Sequence, residues 1–404
     1  MEAPLDALEG LTVLDFSSHV AGPYATKLLG DLGARVIKVE RPGGDPARTL
    51  PPFLNDEPGE DRSATYQYLN TNKESVVLDL KAPDSRDVVR ALMASADLVV
   101  TSSPPATEAA LGIDYATLRS YRDIPVVAIT NFGHDGPYRD YKLSDTVLYA
   151  MGAEMYSHGL AEREPLKLGG TAATLQCGAI AALAAMGAAT AYEVHGIGQL
   201  VDVPCFTVPI SNVDRRSSSI LAYRFSGRIQ ERTAGITAGI AGGVYPTADG
   251  FVEVTATAGN YWRRFVEMID DDTLRDPKWE NPAINFDPNA KEEADAVVYP
   301  WMVSRTSAEV WAEAREAHAM VAPLYSGMDL YNDQNFRERG LWTQVDHSTL
   351  GKLPMLGRPY IFEQTPWRVR SAAPRLGEHT DSVLAEAGLS PDDVAALRSK
   401  GVAA

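Results

Sequence analysis

Cysteine is nearly absent. Cys177 and Cys205 are the only two in 404 residues, with neither metal-ligand spacing nor the makings of a disulfide framework. A reduced, cytoplasmic compartment is the expectation. Basic charge is short: 37 Lys and Arg face 54 Asp and Glu, a net charge of −17, which argues against a nucleic-acid surface. The seven histidines, His19, His134, His158, His195, His318, His347 and His379, show no helical metal-ligand pair. No G-x-G-x-x-G or G-x-x-x-x-G-K-[ST] motif occurs. The most apolar run, GAIAALAAMGAA, is shorter than the roughly 20 residues that span a bilayer, so a buried helix is expected and no membrane partner. The opening MEAPLDALEGLTVLDF lacks a basic region leading into an apolar one, so no secretory signal is expected.

What is present is an ordinary globular composition, 45% hydrophobic and 23% charged, in a chain long enough for two domains. LTVLDF, ARVIKVE, SVVLDL, DLVVTS, PVVAITNFG and QLVDVPCF read as buried strands. Helical patterns separate the early ones, as in GPYATKLLGDLGA. This is a doubly wound, Rossmann-like parallel sheet. The stretch RRSSSILAYRFSGRIQERTAG reads as a polar linker, GGVYPTADGFVEVTA as a hairpin with its turn at Ala248–Gly250, and the chain turns polar again from about Asp329. The expected division is a large domain from residues 1–213, a linker over 214–235, a small α/β domain over 236–328, and a linker and return to the large domain over 329–404.

Ligands of open α/β sheets bind outside the strand carboxyl ends, which singles out His19 after the first strand. Lys38, Arg41, Arg48, Lys73 and Lys81 also follow strand ends. They are read either as solvated loop charge or as a grip for a phosphorylated ligand.

Longer matches carry more. DFSSHVAGPYATKLLGDLGARVIKVERPGGDPAR, NTNKESVVLDLK, GIGQLVDVPCF and RLGEHTDSVLAEAGL occur in this order across almost the whole chain. Together they resemble the class III CoA-transferases, a family that includes the 2-methylacyl-CoA racemases. The resemblance implies a large domain built from both chain ends, a smaller inserted α/β domain, and two chains interlocked as a dimer. It implies CoA or acyl-CoA as substrate, no covalently bound cofactor and no metal. It also implies a carboxylate nucleophile that forms a mixed anhydride from an acyl-CoA. Arg41, Leu78, Lys81 and Lys142 match CoA-binding positions, and Asp145 matches an acidic position supporting the catalytic site.

The chain departs from the family at the decisive point. Counting back from GIGQLVDV, the family's catalytic aspartate falls on Thr174, and no Asp or Glu occurs between Lys167 and Ala191. The racemase histidine position falls near Ser144. The family's Asn-Phe run is Ser102-Ser103-Pro104-Pro105-Ala106, a phosphate-binding arginine is Ala110, and the glycine lid is only GIAGG at Gly239–Gly243. CoA binding to this chain is therefore expected to be weak or absent. The expectation is a catalytically silent subunit of a heteromeric CoA-transferase, partnered by an aspartate-bearing paralogue and acting on CoA thioesters and small aromatic dicarboxylic acids. Two alternatives stand beside it. One is an acyl-CoA isomerase, hydrolase or lyase using Thr174, Cys177, His19 or Asp145. The other is a silent CoA-binding homodimer.

Overall fold

The structure is a computed structural model that describes residues 5–212, 214–229, 232, 239–256, 259–281, 283–284 and 287–404. Six strands, β1 (Thr12–Phe16), β2 (Arg35–Glu40), β3 (Lys73–Val77), β4 (Leu98–Thr101), β5 (Val126–Thr130) and β6 (Leu200–Pro204), form one parallel sheet in the order β3-β2-β1-β4-β5-β6. Successive strand residues point to opposite faces, and both faces are covered, which is why the strands read as continuous apolar runs. Val13, Val36 and Val100 pack with the helices Ala21–Asp31 and Ala172–His195. Leu14, Ile37 and Val99 pack on the other face with Val88, Leu92 and Leu118, and with Val383 and Leu397 from the end of the chain.

The large unit thus uses both chain ends: residues 1–157, 166–230 and 337–404 cluster together, and 158–165 with 231–336 form a second unit. The C-terminal segment is fastened to β3, where His379 N–H donates to the Ser75 carbonyl at 2.9 Å and Asp79 N–H to the Val402 carbonyl at 2.8 Å. In the second unit, β7 (Gly242–Pro246), β8 (Phe251–Thr255) and β9 (Val321–Pro323) make an antiparallel sheet. Helices Gly259–Ile269, Pro288–Val303 and Ser307–Glu316 bury Phe265, Val298 and Val310 in its core. The GIAGG stretch belongs here: Ile240 and Ala241 are buried in that core, and β7 starts at Gly242.

Three sequence expectations change. The stretch read as a polar linker is helical over Asp214–Ser226, because Ile220, Leu221, Tyr223 and Phe225 sit among its serines and arginines. Those four apolar side chains are exposed among the described residues. The polar segment from Asp329 holds a hairpin, β10 (Trp342–His347) with β11 (Gly351–Leu356), preceded by two short helices. The apolar run after Thr171 is part of a 24-residue helix, long and apolar enough by composition to cross a membrane. Here its Ala173, Cys177, Ala181 and Ala185 lie in the core beside β5 and β6, while Leu183 and Val194 are exposed.

The two central helices approach closely at Gly178. A Cβ there would run into the Ala21 carbonyl oxygen and press on Tyr24. Gly178→Ala is expected to destabilise the large unit by about 1–3 kcal/mol, the cost of overpacking a fixed backbone contact, read as a lower urea midpoint at unchanged slope.

Candidate functional site

The loops at the carboxyl edge of the sheet enclose two adjoining cavities. One, of about 600 Å³, lies at the ends of β1, β2 and β3. Its lining includes Arg41, Leu78 and Lys81, the glycines Gly43 and Gly44, and Thr107. The other, of about 440 Å³, lies at the ends of β1, β4 and β5 and is lined by Ser102, Asn131, Asp145, Thr174 and Cys205. Ser18, His19 and Ser103 belong to both linings. Three of the four positions matched to CoA binding therefore share one cavity. The fourth, Lys142, is exposed and lines neither. Ala110, which the resemblance matches to a phosphate-binding arginine, is exposed on the helix Pro105–Leu111.

His19 stands between the cavities because its backbone is left-handed, with φ of 68°, an uncommon conformation for a non-glycine residue. Three bonds hold it there. Its N–H donates to Asp45 Oδ1 at 3.0 Å, Ser18 N–H donates to Ser102 Oγ at 2.9 Å, and the Ser18 hydroxyl meets His19 Nδ1 at 3.2 Å.

Beneath this loop lies a buried charge network. Lys38 and Lys73, read from the sequence as loop charge or phosphate grip, are neither: both ammonium groups are fully buried. They sit inside β2 and β3, and their partners come from elsewhere in the chain. Lys73 pairs with Asp15 at 3.1 Å and donates to Pro23 O, Thr26 Oγ1 and Asn70 Oδ1. Lys38 pairs with Asp45 at 2.8 Å and donates to the Ser17 carbonyl. Burial pushes the Asp15 carboxyl up, but Lys73, Lys38 and the Ser17 and Thr26 hydroxyls outweigh it and leave it at about 2. Burial pulls Lys73 down to about 8 against the pull of Asp15. Arg48, also expected near a ligand, is buried among Glu40, Asp61 and Tyr66. These charges shape the loop floor, so of the five cations only Arg41 and Lys81 face a cavity as exposed side chains.

At Thr174, which the resemblance matches to the nucleophile position, the geometry is specific. Thr174 donates twice to Asp145 Oδ1, from its hydroxyl at 2.9 Å and from its backbone N–H at 3.2 Å. Lys167 Nζ pairs with the other carboxylate oxygen at 3.3 Å and also holds the Leu168 and Gly170 carbonyls. Thr171, the N-cap residue of the helix Ala172–His195, makes no side-chain cap bond. Asp145 fills that role from the start of the helix Asp145–Met151. Such a cap satisfies an otherwise orphaned N–H and favours a negative charge at the helix start. The carboxylate is thus committed to holding structure. The Thr174 hydroxyl donates its proton to a carboxylate that is already shared with a helix N–H and Lys167.

Cys177 lies one turn further along the helix, fully buried, with Sγ 3.5 Å from the Cys205 carbonyl. The adjacent Cys205 thiol and burial push its own thiol up, the setting of a cysteine that packs as a small hydrophobe. Among the described residues no group of three His, Cys, Asp or Glu side chains could hold a metal ion.

One titrating cluster was not foreseen. His134, just past β5, has Nδ1 at 3.2 Å from Asp202 and Nε2 at 3.9 Å from the buried Glu108. The Asp202 and Glu108 carboxylates raise the imidazole to about 9 against partial burial. Its stabilising contribution is therefore complete below the unfolded value near 6.5 and lost as pH rises through about 9. His134→Gln is expected to flatten the fall in melting temperature between about pH 6.5 and 9, measured by calorimetry across that range.

The match to known proteins is of the same extent as the fold. The model for CoA-transferase family III aligns with residues 8–380. The chain belongs to that family. Succinyl-CoA:(R)-benzylsuccinate CoA-transferase subunit BbsE of Thauera aromatica is 30% identical, with 93% of each chain aligned. The succinate–glutarate CoA-transferase of Agrobacterium fabrum is 32% identical over 94% of this chain and 95% of its own. A CAIB/BAIF family protein from Brucella suis has the same fold, with a TM-score of 0.83 and 27% identity over 95% of this chain and 99% of that one. In this CoA-transferase family member, then, the two cavities lie at the strand ends, and a threonine tied to Asp145 stands where the resemblance calls for an aspartate.

Proposed function

We propose that this chain is the silent subunit of a heteromeric class III CoA-transferase, and that a paralogous subunit supplies the nucleophilic aspartate. The observation that carries the reading is the Thr174–Asp145–Lys167 arrangement. The nucleophile is replaced by a hydroxyl without an adequate base, and the one nearby carboxylate is spent on capping a helix. In the partner, the aspartate attacks the acyl-CoA carbonyl, expels CoA thiolate and forms a mixed anhydride. The thiolate returns to the enzyme-side carbonyl, releasing the donor acid and leaving an enzyme thioester. The acceptor carboxylate then attacks that thioester, expelling CoA thiolate and forming a second mixed anhydride, and the thiolate attacks the acceptor's carbonyl, which releases acceptor acyl-CoA and the free enzyme carboxylate.

Two further observations support the partner. BbsE is named as a subunit. This chain also exposes Leu183 and Val194 on one helix and Ile220, Leu221 and Phe225 on another, apolar area that an assembly would cover. The proposed donor is succinyl-CoA, which several relatives carry in their names, and the proposed acceptor is an aromatic dicarboxylic acid of the (R)-benzylsuccinate type. Arg41 and Lys81 remain in the larger cavity, so the proposed role allows this chain to hold CoA without turning it over. The setting is proposed to be cytoplasmic, since both thiols are free.

Co-expression with an aspartate-bearing paralogue, followed by native mass measurement, tests the assembly. A mixed complex containing both chains is expected. Two separate populations of homodimers would refute the reading.

A further inference from the structure

The large unit holds another recess, of about 260 Å³, that shares no lining residue with the two cavities at the sheet edge. It is bounded by the β10–β11 hairpin and the segment Trp367–Arg370. In a chain of net charge −17 its lining is cationic: Arg358, Arg368 and Arg370, with the Thr343 hydroxyl and the Trp367 indole. Asp6 pairs with Arg368 and lies 3.7 Å from Arg370, and Asp31 lies within electrostatic reach of Arg370.

Two of the donors are also unsatisfied. Trp367 is only 7% exposed, and its Nε1–H has no acceptor. Arg358 Nε is buried and likewise has none, although its Nη2 donates to the Arg339 carbonyl at 3.1 Å. The Trp367 ring also carries Lys27 Nζ at 5.3 Å from its centre, an ammonium that is itself paired with Asp31. A buried N–H without an acceptor is costly, and native structures rarely leave two around one recess. Guanidinium and indole N–H donors lining one small recess suit the lone pairs of an oxyanion.

We propose that this recess binds a small oxyanion, a phosphate or carboxylate group, through the Arg358 guanidinium and the Trp367 indole N–H. The site is independent of the acyl-transfer site and does not rest on the partner assignment. Inorganic phosphate and succinate are the probes, since either a phosphoryl group or a dicarboxylic acid presents this chemistry.

Isothermal titration calorimetry of the assembled protein with each probe tests the proposal. Saturable binding of at least one probe is expected, weakened about tenfold or more by Arg358→Gln and by Trp367→Phe. Arg370→Gln, at an exposed position, serves if either of these fails to fold, and is expected to weaken binding as well. Thr174→Ala, at a residue outside this recess, serves as the control and is expected to leave binding here unchanged. Binding of phosphate alone identifies a phosphoryl ligand, and binding of succinate alone a carboxylate metabolite. Either supports the site. Absence of heat with both probes at about 10 mM, above the ~1 mM Kd of weak specific binding, overturns it. Binding unaffected by the variants also overturns it, because the ion then sits elsewhere.

Discussion

In the proposed complex, changing the proposed partner's nucleophilic aspartate to asparagine is expected to lower kcat by about 10⁴-fold or more, while Thr174→Ala in this chain is expected to change it by less than about threefold. The contrast follows from the two sites. Removing a covalent nucleophile removes the route itself, and the residual rate reflects binding and positioning alone. Removing the Thr174 hydroxyl deletes one hydrogen bond, while the backbone N–H of residue 174 still donates to Asp145. The cap therefore survives, and the stability cost is expected near 1 kcal/mol. A large loss of kcat in Thr174→Ala, with folding intact, would show that the threonine takes part in the chemistry.

Arg48→Met is expected to cost about 3–5 kcal/mol of stability, the largest single effect outside the catalytic partner. Arg48 is buried and makes bonds of 2.9 and 2.8 Å to Glu40, 2.8 Å to Asp61, 2.6 Å to the Tyr66 hydroxyl and 3.1 Å to the Pro374 carbonyl. Removing it strands two carboxylates and unties the C-terminal return segment from the loop after β2. The pH dependence has a definite sign. Burial raises the Glu40 carboxyl, and Arg48 with Lys38 overcomes this and holds it at about 2. A carboxylate depressed in the folded state adds stability above its unfolded value near 4.3, and that stability fades as pH falls toward 2. In Arg48→Met the carboxyl is released upward, so acid unfolding begins at higher pH. Urea midpoints from about pH 3 to 7 measure both effects.

The parallel sheet was legible in the sequence because each strand is apolar on both faces and each early helix is amphipathic. RVIKVE and SVVLDL could be placed without any partner in view. The charges inside those strands could not. Lys38 and Lys73 were read as exposed because the partner of Lys38, Asp45, reaches it only through the fold of the loop after β2, and the partner of Lys73, Asp15, lies 58 residues away. The helix Asp214–Ser226 was hidden because its apolar residues are exposed among the described residues, so the pattern reads as polar linker. At the site, counting from GIGQLVDV placed Thr174, and the Asp145 match placed the second residue. The bond between them was not foreseen, nor was Lys167, since both depend on how a loop folds over a helix start. Arg41, Leu78 and Lys81 do share a cavity, and Lys142 does not join them.

The central claim is that this chain contributes fold and surface, and its partner the nucleophile. CoA transfer from succinyl-CoA to an aromatic dicarboxylic acid, measured for the chain alone and for the co-expressed complex at equal site concentration, tests it most directly. The account predicts no transfer above background from the chain alone and turnover from the complex. Transfer by the chain alone, with no partner in the preparation, would contradict it.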